Sequence, residues 1–570
     1  MKKTPRYHPV RYCRDFRELL YGSEKLYGPR TAFLQKKDGV YRPTTYTEFR
    51  DDVNALGTAL CRILPAGRRV MVIGENCYAW ALVYMTVLCG AGVIIPTDRE
   101  CSPEEISNIA ALSEADAVFY SGQLAGKLAS CSLPDRVQRF CFTEIPELCR
   151  KGTELIAEGE TAFFDCEIDP KALAVLLFTS GTTGASKGVM LSQENICFDL
   201  EEISAMLLVK SDDVALSVLP LHHTYECTCG YLSMIYRGAA IAYCERLSAF
   251  AKNMTEVHAS MLIAVPALVD SLYKKIWHSA EKTGKADKLR RAVRYNNALR
   301  KTGLDLSSKL FSGIRDSLGG RLRLISCGGA AANPETLRGM RELGLLTVQG
   351  YGLTECSPLA AVNSDTLYRD EAAGLCVPRG ELSVRDPDEN GVGEILYRGR
   401  NVMLGYYKNP ELTEQVMQDG WFCTGDLGYI DNDGFLYITG RKKNVIVTSN
   451  GKNIFPEELE IYLGRHPMIG ESLVAGTVTD AGETVVKAVL VPSPEAEAEA
   501  EQAEKSGAET RLSALKRLLG AAVAEVNLSL PPFKRIRIAV LRQKPFEKTS
   551  SRKIRRAAPG NLSDPDDCLL

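Results

Sequence analysis

At 570 residues the chain is longer than a single core sustains, which predicts two or three domains. A hydrophobic content of 45%, a charged content of 25% and a net charge of -2 are those of a soluble globular protein and exclude a general attraction to nucleic acid. The 18 cysteines lie singly apart from Cys227/Cys229 and Cys141/Cys149, which excludes a disulfide framework and a zinc spacing and predicts reduced thiols in a cytoplasmic protein.

In chain order, the basic start Met1 to Arg6 leads into no apolar segment, so no signal peptide is expected. Residues 15–120 alternate helical stretches with short β-rich runs at 31–34, 69–73, 93–95 and 117–120, which predicts βαβ units and a mainly parallel sheet covered on both faces. The longest apolar stretch, 79–96, contains Tyr84, Gly90 and Gly92 and reads as a buried helix turning into a buried strand rather than a membrane span.

The apolar run 173–178 then feeds Thr179-Ser180-Gly181-Thr182-Thr183-Gly184-Ala185-Ser186-Lys187-Gly188. Glycines let backbone N–H groups approach an anion closely, and the hydroxyls and Lys187 add donors and charge, so this is a phosphate-binding loop. Ser186 stands where a Walker loop needs glycine, which excludes a P-loop kinase or GTPase. Further strands are expected at 214–218, 240–243, 261–265, 322–326 and 346–349. A charged stretch at 273–320 reads as a helical insertion at the surface. From 380 to 437 turn signals alternate with β-rich runs, which suggests a small distorted barrel. Beyond 440 a new α+β domain is expected, with strands at 472–478 and 485–491. Its Ala/Glu run at 494–501 reads as an exposed helix or mobile loop, and the tail beyond Pro559 as frayed.

Three more constellations carry chemistry. Gly350-Tyr351-Gly352-Leu353-Thr354-Glu355 follows a strand end, where doubly wound sheets bind ligands; its hydroxyl can donate to a phosphate, its carboxylate can ligate a hard cation and Tyr351 offers a flat face to a base. Thr424-Gly425-Asp426 precedes Gly440-Arg441-Lys442-Lys443, and a carboxylate at Asp426 can accept from both hydroxyls of a ribose, with Arg441 beside it. Near the C-terminus, Lys548-Thr549-Ser550-Ser551-Arg552-Lys553-Ile554-Arg555-Arg556 is strongly basic.

In this order and spacing the motifs resemble those of the adenylate-forming superfamily, and within it the long-chain fatty acyl-CoA synthetases, over about residues 10–556. The resemblance implies an α/β fold: a large N-terminal domain of two parallel-type sheets plus a distorted β-barrel over 1–439, a hinge at 440–443 and a small mobile α+β domain over 444–570. It implies that Thr179, Ser180, Gly181, Thr182, Thr183, Gly184, Lys187, Gly328, Gly329, Ala330, Gly350, Tyr351, Gly352, Thr354, Asp426 and Arg441 bind ATP, and that Glu355 binds magnesium. Lys443 falls at the family's hinge, Ser449, Asn450, Gly451 and Lys452 in its thiol-step loop, and Lys553 at its catalytic lysine, although Arg552 stands where glycine is usual.

The segment Leu219-Pro220-Leu221-His222-His223-Thr224-Tyr225-Glu226 resembles the long-chain form, with His223 the better candidate for the wall of an acyl channel. The implied reaction joins a long-chain fatty acid to coenzyme A with ATP and Mg2+, through an acyl-adenylate. Three alternatives stay open: transfer to an acyl carrier protein, a ligase for another carboxylic acid, and a non-catalytic nucleotide or acyl binder. The implied location is cytoplasmic, with peripheral contact at the inner face of a membrane as a further expectation.

Overall fold

The computed structural model describes residues 5–179, 187–447, 452–479, 483–549, 554–556 and 558–570. The chain divides into two compact units, one built from Met1–Leu382, Tyr397–Phe422 and Asn432–Leu436, the other from Ser383–Leu396, Cys423–Asp431 and Tyr437–Leu570.

In the first unit, β1 (Thr31–Lys37) and β2 (Val40–Thr45) form a hairpin. Next come β3 (Arg69–Ile73), β4 (Val93–Thr97), β5 (Ala117–Tyr120) and β6 (Gln138–Cys141), then the antiparallel pair β7 (Leu173–Thr179) and β8 (Lys187–Ser192). The later strands are β9 (Val214–Ser217), β10 (Ala240–Tyr243), β11 (Met261–Ala264), β12 (Leu324–Cys327), β13 (Leu346–Gly352), β14 (Leu359–Val362) and β15 (Gly374–Cys376).

They sort into two sheets. One runs β8-β7-β4-β3-β5-β6, the other β15-β14-β13-β12-β11-β9-β10-β1-β2. The runs β7-β4-β3-β5-β6 of one and β13-β12-β11-β9-β10-β1 of the other are parallel, as expected, while β14 is antiparallel to both its neighbours. The partner of β1 departs from the sequence reading, because β1 joins β10 in parallel, Phe33 facing Ile241, rather than the sheet of β3, β4 and β5. Alternation within a strand says which face is buried but not which strand lies alongside.

Local chemistry explains the elements that carry these sheets. Thr45 and Glu48 form a reciprocal capping box that starts the helix Tyr46–Ile63. The helix Tyr78–Cys89 is apolar on every side and buried from Trp80 to Cys89, and it turns into the buried β4 as expected, so it is a core helix. No helix among the described residues is long and apolar enough to cross a membrane. The charged stretch 273–320 is helical, with Pro266–Lys282 and Ala286–Arg300 as its main elements.

In the second unit, the strands Ile469–Val478, Thr484–Pro492, Ile536–Leu541 and Cys568–Leu569 form a sheet in that order. The helices Pro456–Gly464 and Arg511–Leu528 place Leu459, Leu463, Leu515 and Leu519 in its core. The Ala/Glu run is a helix, Pro494–Lys505, capped by Ser493 and buried at Ala496 and Ala500, one turn apart.

Two expectations are corrected. The strands Glu381–Arg385, Gly393–Arg398, Trp421–Ile430 and Phe435–Arg441 follow one another as neighbours; among the described residues they form an open run and not the distorted barrel expected there. Closure needs strand number, tilt and stagger to match, which turn signals do not report. The tail beyond Pro559 is also not frayed. Arg542, buried, pairs with both oxygens of Asp567 at 3.0 and 2.7 Å and donates to the Asn561 carbonyl at 3.0 Å, while Cys568–Leu569 adds a strand to Ile536–Leu541. A polar composition is compatible with order where each polar group finds a partner.

Close approach of two helices supplies a test. A Cβ built at Gly152, in the helix Ile145–Ala157, would lie 1.7 Å from the Ala55 carbonyl oxygen on Tyr46–Ile63. Gly152→Ala is expected to lower stability by about 1–3 kcal/mol or more, because overpacking of this kind forces the backbones apart; a denaturant midpoint equal to that of the parent would contradict the fit.

Candidate active site

The hairpin β7–β8 positions the first group. Thr179 pairs in register with Lys187, so the two described ends of the glycine-rich loop face one another. The Lys187 ammonium lies 5.3 Å from the centre of the Tyr406 ring, and the Tyr406 hydroxyl donates to Glu355 at 2.8 Å. Tyr406 is held there by the short strand Gly405–Tyr406, which pairs with β8 opposite Val189. A cation from the loop's end and a carboxylate from the turn after β13 therefore meet through one aromatic ring.

That turn has little freedom. A Cβ at Gly352 would lie 1.9 Å from the Pro358 carbonyl oxygen, so only glycine fits. Thr354 and Glu355 begin a single 3-10 turn, and its buried backbone is satisfied from elsewhere. Asn401 donates to the carbonyls of Cys356 at 2.8 Å and Leu359 at 2.6 Å. Tyr397 donates to the Asn401 side chain at 2.8 Å, Thr228 to the Ser357 carbonyl at 2.9 Å, and Leu359 N–H to Asp199 at 3.2 Å. Burial pushes the Asp199 carboxyl well above the ordinary carboxylate range, against the pull of its two donors. Tyr351 lies on β13 opposite Ala361, and Gly350 opposite Val362.

Gly328, Gly329 and Ala330 follow β12. Gly328 N–H donates to the Ala264 carbonyl at 3.0 Å, and a Cβ there would lie 2.8 Å from the Tyr225 ring. Gly329 takes a φ of 85°, the left-handed region that suits glycine. Tyr225 is fixed by a hydrogen bond to the Ser326 carbonyl at 3.0 Å.

A small apolar pocket lies in the same unit, lined by Val175 and Leu177 of β7, Leu191 of β8, Tyr84, His222 and Cys227 among others. The hairpin that carries the glycine-rich loop thus also walls the pocket. His222 is among the lining residues; the His223 ring lies beside it with centres 4.2 Å apart, and His222 faces Asp98 at 3.5 Å.

Beneath the pocket wall, Glu226 is buried in the π-helical turn Tyr225–Leu232. One of its oxygens accepts from Ser217 at 2.6 Å, and the other has no protein partner. Burial pushes its carboxyl up to about 8, against the Ser217 hydrogen bond.

In the second unit, Thr424 donates to the Ile395 carbonyl at 2.7 Å and accepts from the Asp426 N–H at 3.1 Å, and Gly425 between them has a φ of 70°. Asp426 is buried, and the Arg441 guanidinium meets its carboxylate at 2.9 Å. The two residues expected to share a ribose are therefore together. Lys443 lies in the 3-10 turn Lys442–Asn444, and Asn444 donates to Glu457 at 2.6 Å. Lys452 sits 4.5 Å from the centre of the Phe533 ring.

Ser180, Gly181, Thr182, Thr183, Gly184, Ser449, Asn450, Gly451 and Lys553 lie outside the described residues. The described ends of the Lys553 segment are pinned: Lys548 bridges Ile554, and Arg555 N–H donates to the Glu547 carbonyl at 2.9 Å. Buried Asn561 holds both sides, accepting from Glu547 N–H at 2.8 Å and donating to the carbonyls of Glu547 and Arg555, each at 2.9 Å. Sequence reasoning missed Asn401, Tyr406, Asp199 and Asn561. Asn401, Tyr406 and Asp199 act on residues far away in the chain, Asn561 on residues 6 and 14 positions before it. Among the described residues no group of three or more His, Cys, Asp or Glu side chains is arranged to hold a metal ion.

Residues 24–407 match the family described as AMP-binding enzyme, and residues 443–561 match the AMP-binding enzyme C-terminal domain. A long-chain-fatty-acid–CoA ligase, FadD15, of Mycobacterium bovis is 29% identical over 80% of this chain and 79% of its own length. Long chain acyl-CoA synthetase 1 of Arabidopsis thaliana is 30% identical over 81% of this chain and 76% of its own. In fold, the chain is similar to ATP-bound MatB from Rhodopseudomonas palustris, with a TM-score of 0.73 over 95% of this chain and 97% of that one at 22% identity.

Glu226 provides a pH test. The folded chain keeps it neutral up to about pH 8, while the unfolded chain ionises it near the ordinary value of 4.5. Its contribution to stability is therefore complete below pH 4.5 and is lost as the pH rises toward 8. Glu226→Gln removes this dependence, so the melting temperature of the variant relative to the parent should be higher at pH 8 than at pH 5; a constant difference would show that Glu226 is ionised in the folded chain.

Proposed function

This chain belongs to the AMP-binding enzyme family, and from that premise we propose that it activates a long-chain fatty acid with ATP and transfers the acyl group to coenzyme A. The observation that carries the reading is the shared hairpin: β7 and β8 line an apolar pocket and end in the phosphate loop, so an apolar acid and a nucleotide phosphate would contact the same two strands. The relatives named as long-chain ligases span most of this chain and supply the acid class.

In the proposed first step the acid's carboxylate attacks the α-phosphorus of ATP in line, and pyrophosphate leaves. The hydroxyls and N–H groups of 179–184 and Lys187 hold the phosphate charge, Thr354 donates to the α-phosphate, and Lys553 supports the charge that develops. Tyr351 and the Gly328–Ala330 turn are assigned to adenine, Asp426 and Arg441 to the ribose. Tyr406 engages one oxygen of Glu355, and the carboxylate's chemistry fits a Mg2+ ligand; the ion when bound supplies charge to the phosphates.

In the second step the thiol of coenzyme A attacks the acyl carbonyl and AMP leaves, with Lys443 as the hinge and the loop 449–452 serving this stage. His223, whose ring lies beside that of the pocket-lining His222, is assigned to the wall of the acyl channel. Coenzyme A is preferred to a carrier protein as the thiol. Two cations of the surface that could dock an acidic carrier, Lys534 and Arg537, are already paired with Glu458 at 2.7 Å and Glu483 at 2.8 Å.

The test is pyrophosphate release with Mg-ATP and fatty acids of increasing chain length, run with coenzyme A, with a phosphopantetheinylated carrier protein and with neither thiol. Turnover with long acids and coenzyme A is expected; turnover with the carrier alone would overturn the choice of thiol, and silence throughout with ATP still bound would overturn the enzymatic reading. Lys553→Ala and Glu355→Gln are each expected to slow adenylation by about 10^2 to 10^3, with ATP binding retained in the Lys553 variant.

A further inference from the structure

Three carboxylates of the second unit that the proposed mechanism leaves unused face the two ends of the segment carrying Lys553. They are Glu457 and Glu460, three residues apart on one side of the helix Pro456–Gly464, and Glu471 on the strand Ile469–Val478. Lys548, before Lys553 in the chain, meets Glu471 at 2.5 Å. Arg556, after it, serves three partners at once: its guanidinium pairs with Glu460, donates to the Val474 carbonyl at 2.9 Å and lies 3.7 Å from Glu457. Glu460 is itself held, accepting from the Val474 N–H at 2.7 Å. Both ends of the segment thus stand on one strand, since Glu471 and Val474 belong to Ile469–Val478. Ile554, between the two cations in the chain, packs against Leu473, Val489 and Phe546.

The same cluster reaches the hinge. Glu457 accepts from Asn444 at 2.6 Å through the oxygen that Arg556 approaches. Its other oxygen is buried without a hydrogen-bond partner, and a Cβ built on Gly440 would lie 2.8 Å from it. The carboxylate therefore lies against the residues on either side of Arg441 to Lys443, and glycine at 440 leaves it room. The side chains of Arg556 and Glu457 are only 26% and 27% exposed, so their attraction is screened less than that of a surface pair.

We infer that Arg556 and Glu457 are positioning residues for Lys553, tying the segment that carries it to the hinge turn. A change of backbone angle at Lys443 moves Gly440 relative to Asn444, so the carboxylate packed between them shifts and Arg556 shifts with it. With the hinge set as here, the end of the Lys553 segment is fixed; when the hinge turns, that end is released. An ion pair serving only the stability of this unit gives no reason for its carboxylate to reach both flanks of the hinge. The inference rests on the adenylating role proposed for Lys553, whereas the contacts of Arg556 and Glu457 stand without it.

The test separates the half-reactions of the full-length protein. Adenylation is read as palmitate-dependent exchange of pyrophosphate into ATP, and the thiol step as consumption of supplied palmitoyl-adenylate with coenzyme A. Arg556→Gln is expected to slow exchange by about tenfold to a hundredfold, the cost of a small misplacement of a reacting group, with the thiol step at the parent rate. Arg556→Lys, which keeps the charge but not the planar fork, should recover only part of the loss. Glu457→Ala should also slow exchange, and should speed amide hydrogen exchange in the distant peptide 548–556. In a chain already carrying Lys553→Ala, adding Arg556→Gln should cost nothing further, because a residue acting through Lys553 has nothing left to act on. Losses that multiply in that double variant, equal losses in both half-reactions, or unchanged hydrogen exchange in Glu457→Ala would each overturn the inference while leaving Lys553 its role. Exchange at the parent rate in Lys553→Ala alone would overturn the role proposed for Lys553, and the inference with it.

Discussion

Backbone groups that are taken out of water must be paired, and the turn after β13 shows what that demands. Thr354 and Glu355, proposed to meet the nucleotide, begin the turn while the peptide groups from Cys356 to Leu359 are buried. The β13–β14 ladder reaches only Leu359 at their end, so the chain recruits Asn401, Thr228 and Asp199 from three other segments to complete their hydrogen bonds. Fixing the turn this way also fixes Glu355 against Tyr406, and through the Tyr406 ring it ties the turn to Lys187 at the end of the phosphate loop.

The same economy appears in the second unit. The segment that carries Lys553 is bounded by two described ends held together by one buried side chain, Asn561, whose three hydrogen bonds span both strands. Asn561 is in turn backed by Arg542, which pairs with Asp567 and binds the Asn561 carbonyl. In the first unit Thr354 and Glu355 sit on a short turn whose buried backbone is paired by polar partners from other segments rather than by the turn's own sequence.

Burial also sets the charge of groups near the apolar pocket. Glu226 and Asp199 are surrounded by protein, and both are pushed toward the neutral form, Glu226 with one oxygen left without a protein partner. The carboxyl of Glu226, between the pocket-lining residues Thr224 and Cys227 in the chain, is thus uncharged at neutral pH, a setting compatible with an apolar chain. Lys288, Arg291 and Arg294 of Ala286–Arg300 stand at the opposite extreme, exposed and outside any ion pair among the described residues.

What the sequence determined by itself is whatever depends on residue type at short range: strand and helix positions, the glycine-rich loop, the Tyr351 to Glu355 string, the pairing of Asp426 with Arg441, and the family. Phosphate and ribose recognition need particular groups at fixed spacing, so their signature survives in a linear reading. The tertiary structure decided what depends on which distant segments meet. It placed β1 beside β10, left the strands from 381 to 441 as an open run, brought His222 to the pocket, and ordered a tail whose composition suggested fraying. Asn401, Tyr406, Asp199 and Asn561 belong to this second class. A buried amide, phenol or carboxyl earns its role only from the partner across the fold, and the partner's position is not written at the residue itself.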